Sequence, residues 1–222
     1  DFGNADEVLA LRHDAEAVLG EIALYRGDMV GSLSHHRACL DLATRRGLLH
    51  EQGLARWSIA MKLYYLGRWS EAQAELAEVQ ALGGAAIGEL VRPFEHRIAG
   101  RLEEAVACWL DTWQHFEIDV DLELLVAIAR YSSEALLAID RCDEVRDRLD
   151  AILTRIRSTG AVSYEFRLAP LWAEALARLD DPRAATVCDE TLVLVRRLGA
   201  PHQEALALRA RAWSRRTAGD WS

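Results

Sequence analysis

Apolar residues recur at helical spacing along almost the whole chain, and the stretches that carry them are broken by one recurring short turn. The segment LARWSIAMKLYYLGRWSEAQAELAEVQALGG, from Leu54 to Gly84, shows the pattern. Leu63 and Leu66 end one amphipathic stretch at Gly67, and a second begins at Trp69. Six turns of this kind occur: Gly27-Asp28-Met29, Gly67-Arg68-Trp69, Gly100-Arg101-Leu102, Asp140-Arg141-Cys142, Asp180-Asp181-Pro182 and Gly219-Asp220-Trp221. They are separated by 40, 33, 40, 40 and 39 residues, so the chain repeats with a period near 40 and one short unit.

The turn residues have a physical reason. A helix C-terminus commonly closes on a residue at positive φ, which costs glycine nothing. Asp28, Asp181 and Asp220 are placed to accept hydrogen bonds from the first amides of the next helix. Pro182 suits an early helical position because it has no amide to satisfy. The second helix of each pair ends on Gly47, Gly83, Gly160 or Gly199, and Arg45-Arg46 and Arg196-Arg197 offset the negative end of the helix dipole. These signals predict eleven helices, over 5–26, 29–46, 50–66, 69–82, 86–99, 102–116, 121–139, 142–158, 163–179, 182–198 and 202–218. The expected fold is all-α, one domain of antiparallel helix pairs over 5–47, 50–83, 86–117, 121–160 and 163–199, with an incomplete unit at 202–222.

Small and aromatic positions in these pairs resemble those of tetratricopeptide repeats. In the second unit Ala60 stands where paired helices touch, Tyr64 and Gly67 lead into the turn, and Trp69 and Ala72 open the second helix. Ala105 and Ala185 repeat the place of Ala72, with Ser32 and Val145 as looser matches. Small residues are needed there because helix axes approach within about 8–10 Å only where bulky side chains are absent. The resemblance implies a right-handed α-α superhelix. An array that stops three residues into a second helix is expected to be part of a longer polypeptide, since repeat arrays close with polar terminal units.

Composition agrees with helices and narrows the partners. Only four prolines occur, of which Pro93 and Pro170 fall inside predicted helices, so those helices either start late or kink. The formal net charge of -9 disfavours nucleic acid, whose binding needs clustered uncompensated Lys and Arg. Lys62 is the only lysine among 26 basic residues, so ion pairs should join Arg to Asp or Glu. Cys39, Cys108, Cys142 and Cys188 are too scattered for a zinc site or a disulfide framework and read as free thiols. No apolar run reaches the roughly 20 residues of a membrane helix, and no signal peptide is evident, so a cytoplasmic location is expected.

Catalytic motifs are missing. Asp1-Phe2-Gly3 matches the kinase magnesium tripeptide, but no glycine-rich loop, strand lysine or catalytic loop accompanies it. No phosphate loop, dinucleotide fingerprint, nucleophile elbow or zincin motif occurs. His35-His36 are adjacent residues pointing about 100° apart on a helix, and read as a packed or solvated pair instead of metal ligands. Asp119, Asp121 and Glu123 lack the glycine and terminal glutamate of a calcium loop and read as helix-capping residues. No catalytic residue, metal or cofactor is assigned.

The resemblance implies that the first helix of each pair lines a concave face. Carried onto this chain, that register selects Trp57, Met61, Tyr64, Tyr65, Arg97, Arg130, Glu134, Arg167, Glu174, Arg209 and Trp213 as partner-contacting candidates. Arginine and aromatic residues are frequent interface anchors. The aromatics read more readily as packing between repeats, and the arginines at least equally as intramolecular ion-pair partners. The phrases GRWSEAQAEL at 67–76, GRLEEAVACW at 100–109 and LAPLWAEALARL at 168–179 resemble the helical-repeat sensor region of large bacterial ATP-dependent LuxR-type transcription regulators. That resemblance implies a scaffold binding a protein, a peptide, a neighbouring domain or a small effector, without direct nucleic-acid or membrane contact. A stand-alone peptide-binding or oligomerising scaffold is the alternative, and an enzyme with noncontiguous groove residues the more distant one.

Overall fold

The computed structural model describes residues 2–83, 85–116 and 122–217. Eleven α-helices and no strand occupy these residues: α1 (Phe2–Tyr25), α2 (Met29–Arg45), α3 (Leu49–Tyr65), α4 (Trp69–Ala81), α5 (Ala85–Ile98), α6 (Leu102–Phe116), α7 (Leu122–Ala138), α8 (Cys142–Thr159), α9 (Val162–Arg178), α10 (Ala184–Arg197) and α11 (Pro201–Thr217). The all-α reading holds, and most helix ends fall within a residue of the positions read from caps and turns. No described helix is long and apolar enough to cross a membrane.

The turns behave as their chemistry requires. Asp140 and Asp180 occupy the glycine place of their turns at φ 64° and 54°, the conformation that Gly27, Gly67 and Gly100 also adopt. Aspartate is one of the few residues that tolerates this region. Asp28 caps α2, its Oδ1 accepting the Gly31 amide at 2.8 Å. The sixth turn, at Gly219, and the acidic residues Asp119 and Asp121 lie outside the described residues.

Of the two readings of Pro93 and Pro170, the late start is excluded: α5 and α9 each run through their proline, and both prolines are buried. The missing amide of Pro170 withdraws the usual helical donor from the Phe166 carbonyl. The place of Ala72 is not repeated at Ala185, which is exposed; Ala184 is buried instead. Helix α4 opens with an i to i−4 bond from Ala72 to the Arg68 carbonyl, whereas α10 opens with an i to i−3 bond from Ala184 to Asp181. The tighter turn advances about 120° per residue instead of 100°, which swings the inward face back by one position. Pro182 accordingly lies in the turn and not in the helix.

The chain divides into two compact units, Asp1–Arg101 and Leu102–Ser222. The boundary falls in the Gly100-Arg101-Leu102 turn, inside the stretch read from sequence as the unit 86–117. In the first unit α1 to α5 pack in succession, and α3 also meets α5. Ala72, Leu33, Ile59 and Leu63 form one core cluster there, and Ala60 is fully buried. In the second unit α9 is central, packing against α7, α8, α10 and α11. Ala105 and Val145 are fully buried on α6 and α8.

Candidate functional site

In the second unit the odd-numbered helices carry a charged network. Helices α7, α9 and α11 are adjacent because α9 packs on both others. Glu174, buried on α9, accepts from Arg209 of α11 at 2.8 Å (Nε) and 2.5 Å (Nη2), and from Arg178 at 3.4 Å. Arg178 also donates to the Leu137 carbonyl at 2.8 Å and to Asp140 at 2.7 Å. It thereby satisfies the C-terminal end of α7, where cations are favoured. Two guanidiniums approach the Trp213 ring, Arg178 at 5.3 Å and Arg216 at 4.9 Å from its centroid, within cation–π range.

On α7, buried Arg130 donates to Glu134 at 3.2 Å and lies 5.3 Å from the Tyr131 ring centroid. His202 of α11 joins this group electrostatically. Its burial, then the nearby Arg130, hold its pKa below the ordinary histidine value, with Glu134 opposing them. Arg167 is buried on α9. Gln203 is fully buried with neither end of its amide hydrogen-bonded, and nothing in the structure explains this.

The first unit carries an aromatic cluster instead. Trp57 and Tyr64 of α3 both pack edgewise on buried Phe94 of α5, with centroids 6.0 and 6.4 Å apart. Tyr65 meets Tyr64 at 5.5 Å, and Arg97 lies 5.2 Å over the Tyr64 ring. Met61, between them in register, is buried in the core and offers no surface to a partner.

The eleven residues selected from sequence thus separate. Glu174, Arg209 and Trp213 meet through Arg178, and Arg130 and Glu134 meet beside His202. Trp57, Tyr64, Tyr65 and Arg97 cluster in the other unit. Sequence reasoning missed Arg178, His202 and Phe94. Arg178 had a signal, since it stands four residues after Glu174 on one helix, at ion-pair spacing. Phe94 had none beyond its helical spacing.

A second buried charge cluster, also missed, joins three helices of the first unit. Lys62 of α3 donates to Glu21 of α1 at 2.9 Å and lies 3.5 Å from His36 Nε2 of α2. The His36 Nδ1–H donates to the Ser32 carbonyl at 2.9 Å, which turns the Nε2 lone pair toward Lys62. Burial alone would raise the Glu21 pKa, but the Lys62 charge and the hydrogen bond from Lys62 hold it well below the usual carboxylate range. Gly20 makes this approach possible, since a Cβ there would stand 2.4 Å from the His36 ring. His35, on the neighbouring face, pairs with Glu16 at 2.7 Å.

Among the described residues no three His, Cys, Asp or Glu side chains converge as metal ligands, and all four cysteines are free. The 570 Å³ groove between α7 and α8 is lined by Leu125, Ala151, Ile152 and charged residues of α8 including Arg148 and Arg155. It shares no residue with either cluster. No family model matches the chain, and no curated protein matches it.

Proposed function

We propose that this chain is a binding scaffold of tetratricopeptide type whose second unit receives an acidic peptide or carboxylate-bearing effector along α7, α9 and α11. The observation that carries the reading is the Glu174–Arg209 pair. Glu174 is buried, while the Arg209 side chain is half exposed, with Trp213 and Arg178 in the same network. A ligand carboxylate reaching Arg209 competes with Glu174 for a planar guanidinium fork, and Trp213 supplies an aromatic wall. Because Arg178 ties Glu174 to the end of α7, such an exchange alters contacts among three helices. That is the differential interaction a ligand needs to shift a population of states.

The reading extends to a regulatory role as the sensor region of a signal-transduction transcription regulator. The motifs at 67–76, 100–109 and 168–179 support it by resemblance alone. Binding, not catalysis, is the proposed activity.

A panel of peptides ending in a free carboxylate, each matched to its C-terminal amide, tests the site. Carboxylate forms should bind more tightly, and Arg209→Ala or Trp213→Ala should each weaken them about tenfold or more. Equal binding of acid and amide forms, or indifference to both substitutions, refutes the site. A polypeptide in which this segment accompanies neither a nucleotide-binding module nor a helix-turn-helix refutes the regulatory role.

A further inference from the structure

Helix α1 is apolar on two opposite faces. One face, through Leu24 and Gly20, is buried against the rest of its unit. The other runs through Val8, Leu11, Ala15, Val18 and Ile22, spaced three and four residues apart in turn. The four large residues of this stripe and the adjoining Leu19 are 42% to 64% exposed. At about 100° per residue the two faces lie on opposite sides of the helix, so the stripe is not the rim of the core. Alternating spacings of three and four are the seam of a two-helix supercoil, with Val8, Ala15 and Ile22 as one set and Leu11 and Val18 as the other.

Charge on the flanks selects the occupant and its direction. One edge of the stripe carries Glu7, Asp14 and Glu21; the other carries Arg12, Leu19 and Arg26. Glu7 and Arg12 are exposed and make no ion pair among the described residues. In a parallel pair of identical helices, each acidic-edge residue faces the position five residues later on the other chain. Glu7 then faces Arg12, while Glu21 stays with Lys62 of its own chain. An antiparallel pair would set acidic edge against acidic edge and the Arg12–Arg26 edge against itself, which brings like charges together.

We propose that α1 is a self-association surface, on which two copies of this chain pair their α1 helices in parallel along Val8, Leu11, Ala15, Val18 and Ile22. The helix is already formed and held by α2, so association does not carry the ordering cost that makes short isolated helices unstable. The stripe presents on the order of 400 Å² of apolar surface per copy, the size of a functional patch. Two copies together approach the low end of specific interfaces, about 1,000 Å², so the dimer is weak and reversible.

Sedimentation velocity of the full chain over about 1 to 500 μM should show a dimer growing with concentration, as expected for an interface of this size. Leu11→Glu with Val18→Glu should leave the chain monomeric throughout, with helical content and thermal midpoint unchanged because both positions are exposed. Glu7→Arg and Arg12→Glu should each weaken the dimer about tenfold, and the two together should restore it. In a Cys108→Ser background, Leu11→Cys should form an intermolecular disulfide under mild oxidation, as only the parallel register brings these positions together. A monomer at the highest concentration, a dimer indifferent to the stripe substitutions, or one strengthened by either single charge reversal overturns the proposal.

Discussion

Removing the two partners of the Lys62–Glu21 pair should have unequal effects. The Lys62 side chain is 4% exposed and that of Glu21 39%. Glu21→Gln leaves an ammonium in the interior with the His36 Nε2 lone pair, 3.5 Å away, and no carboxylate. An uncompensated buried charge of this kind costs about 3–5 kcal/mol. Lys62→Met keeps the apolar stem and leaves a carboxylate that water already reaches, so its cost should stay near 1 kcal/mol. Thermal unfolding followed by circular dichroism at pH 7 should show a midpoint drop on the order of 10 °C or more for Glu21→Gln and a few degrees for Lys62→Met. The double variant should resemble Lys62→Met alone. The sign of the pH dependence follows from the depressed folded-state pKa of Glu21, whose ordinary value is 4.5. Its stabilisation is complete above that value and is lost as pH falls below it. The gap between the wild-type chain and Glu21→Gln should therefore close on acidification. If Lys62→Met proves as damaging as Glu21→Gln at pH 7, the account of a desolvated cation is wrong.

Two further predictions concern packing and thiol chemistry. Ala184→Phe should cost about 1–3 kcal/mol by overpacking, whereas Ala185→Phe should change stability by less than about 0.5 kcal/mol; urea unfolding giving the opposite order would sink the shifted register of α10. Burial pushes the thiols of Cys39, Cys142 and Cys188 up to about 11, and Cys108 is only partly buried. Ellman's reagent at pH 8 should therefore find one fast thiol per chain, mapped to Cys108, with the other three reacting only on unfolding. A second fast thiol in the native protein contradicts this.

Helices and turns were legible in the sequence because their causes are local. A left-handed residue at Gly67 or Asp140, a capping carboxylate at Asp28 and the apolar stretch leading into each turn act over a few residues, and helix boundaries followed from them. The same locality explains what stayed open and the one place, in α10, where the register was misread. Whether α5 and α9 could run through Pro93 and Pro170 depends on burial by neighbouring helices that can outweigh a lost backbone bond. The inward place of α10 depended on one i to i−3 bond that its composition does not announce. The candidate site was legible as residue types on the odd-numbered helices, but not as contacts. Glu174 meets Arg209 from 35 residues away, and Lys62 meets Glu21 from 41. Pairs at such separation are set by which helices pack together. Helical periodicity gives the face a side chain occupies; only the packed structure decides whether that face meets solvent, as at Arg209, or the interior, as at Met61.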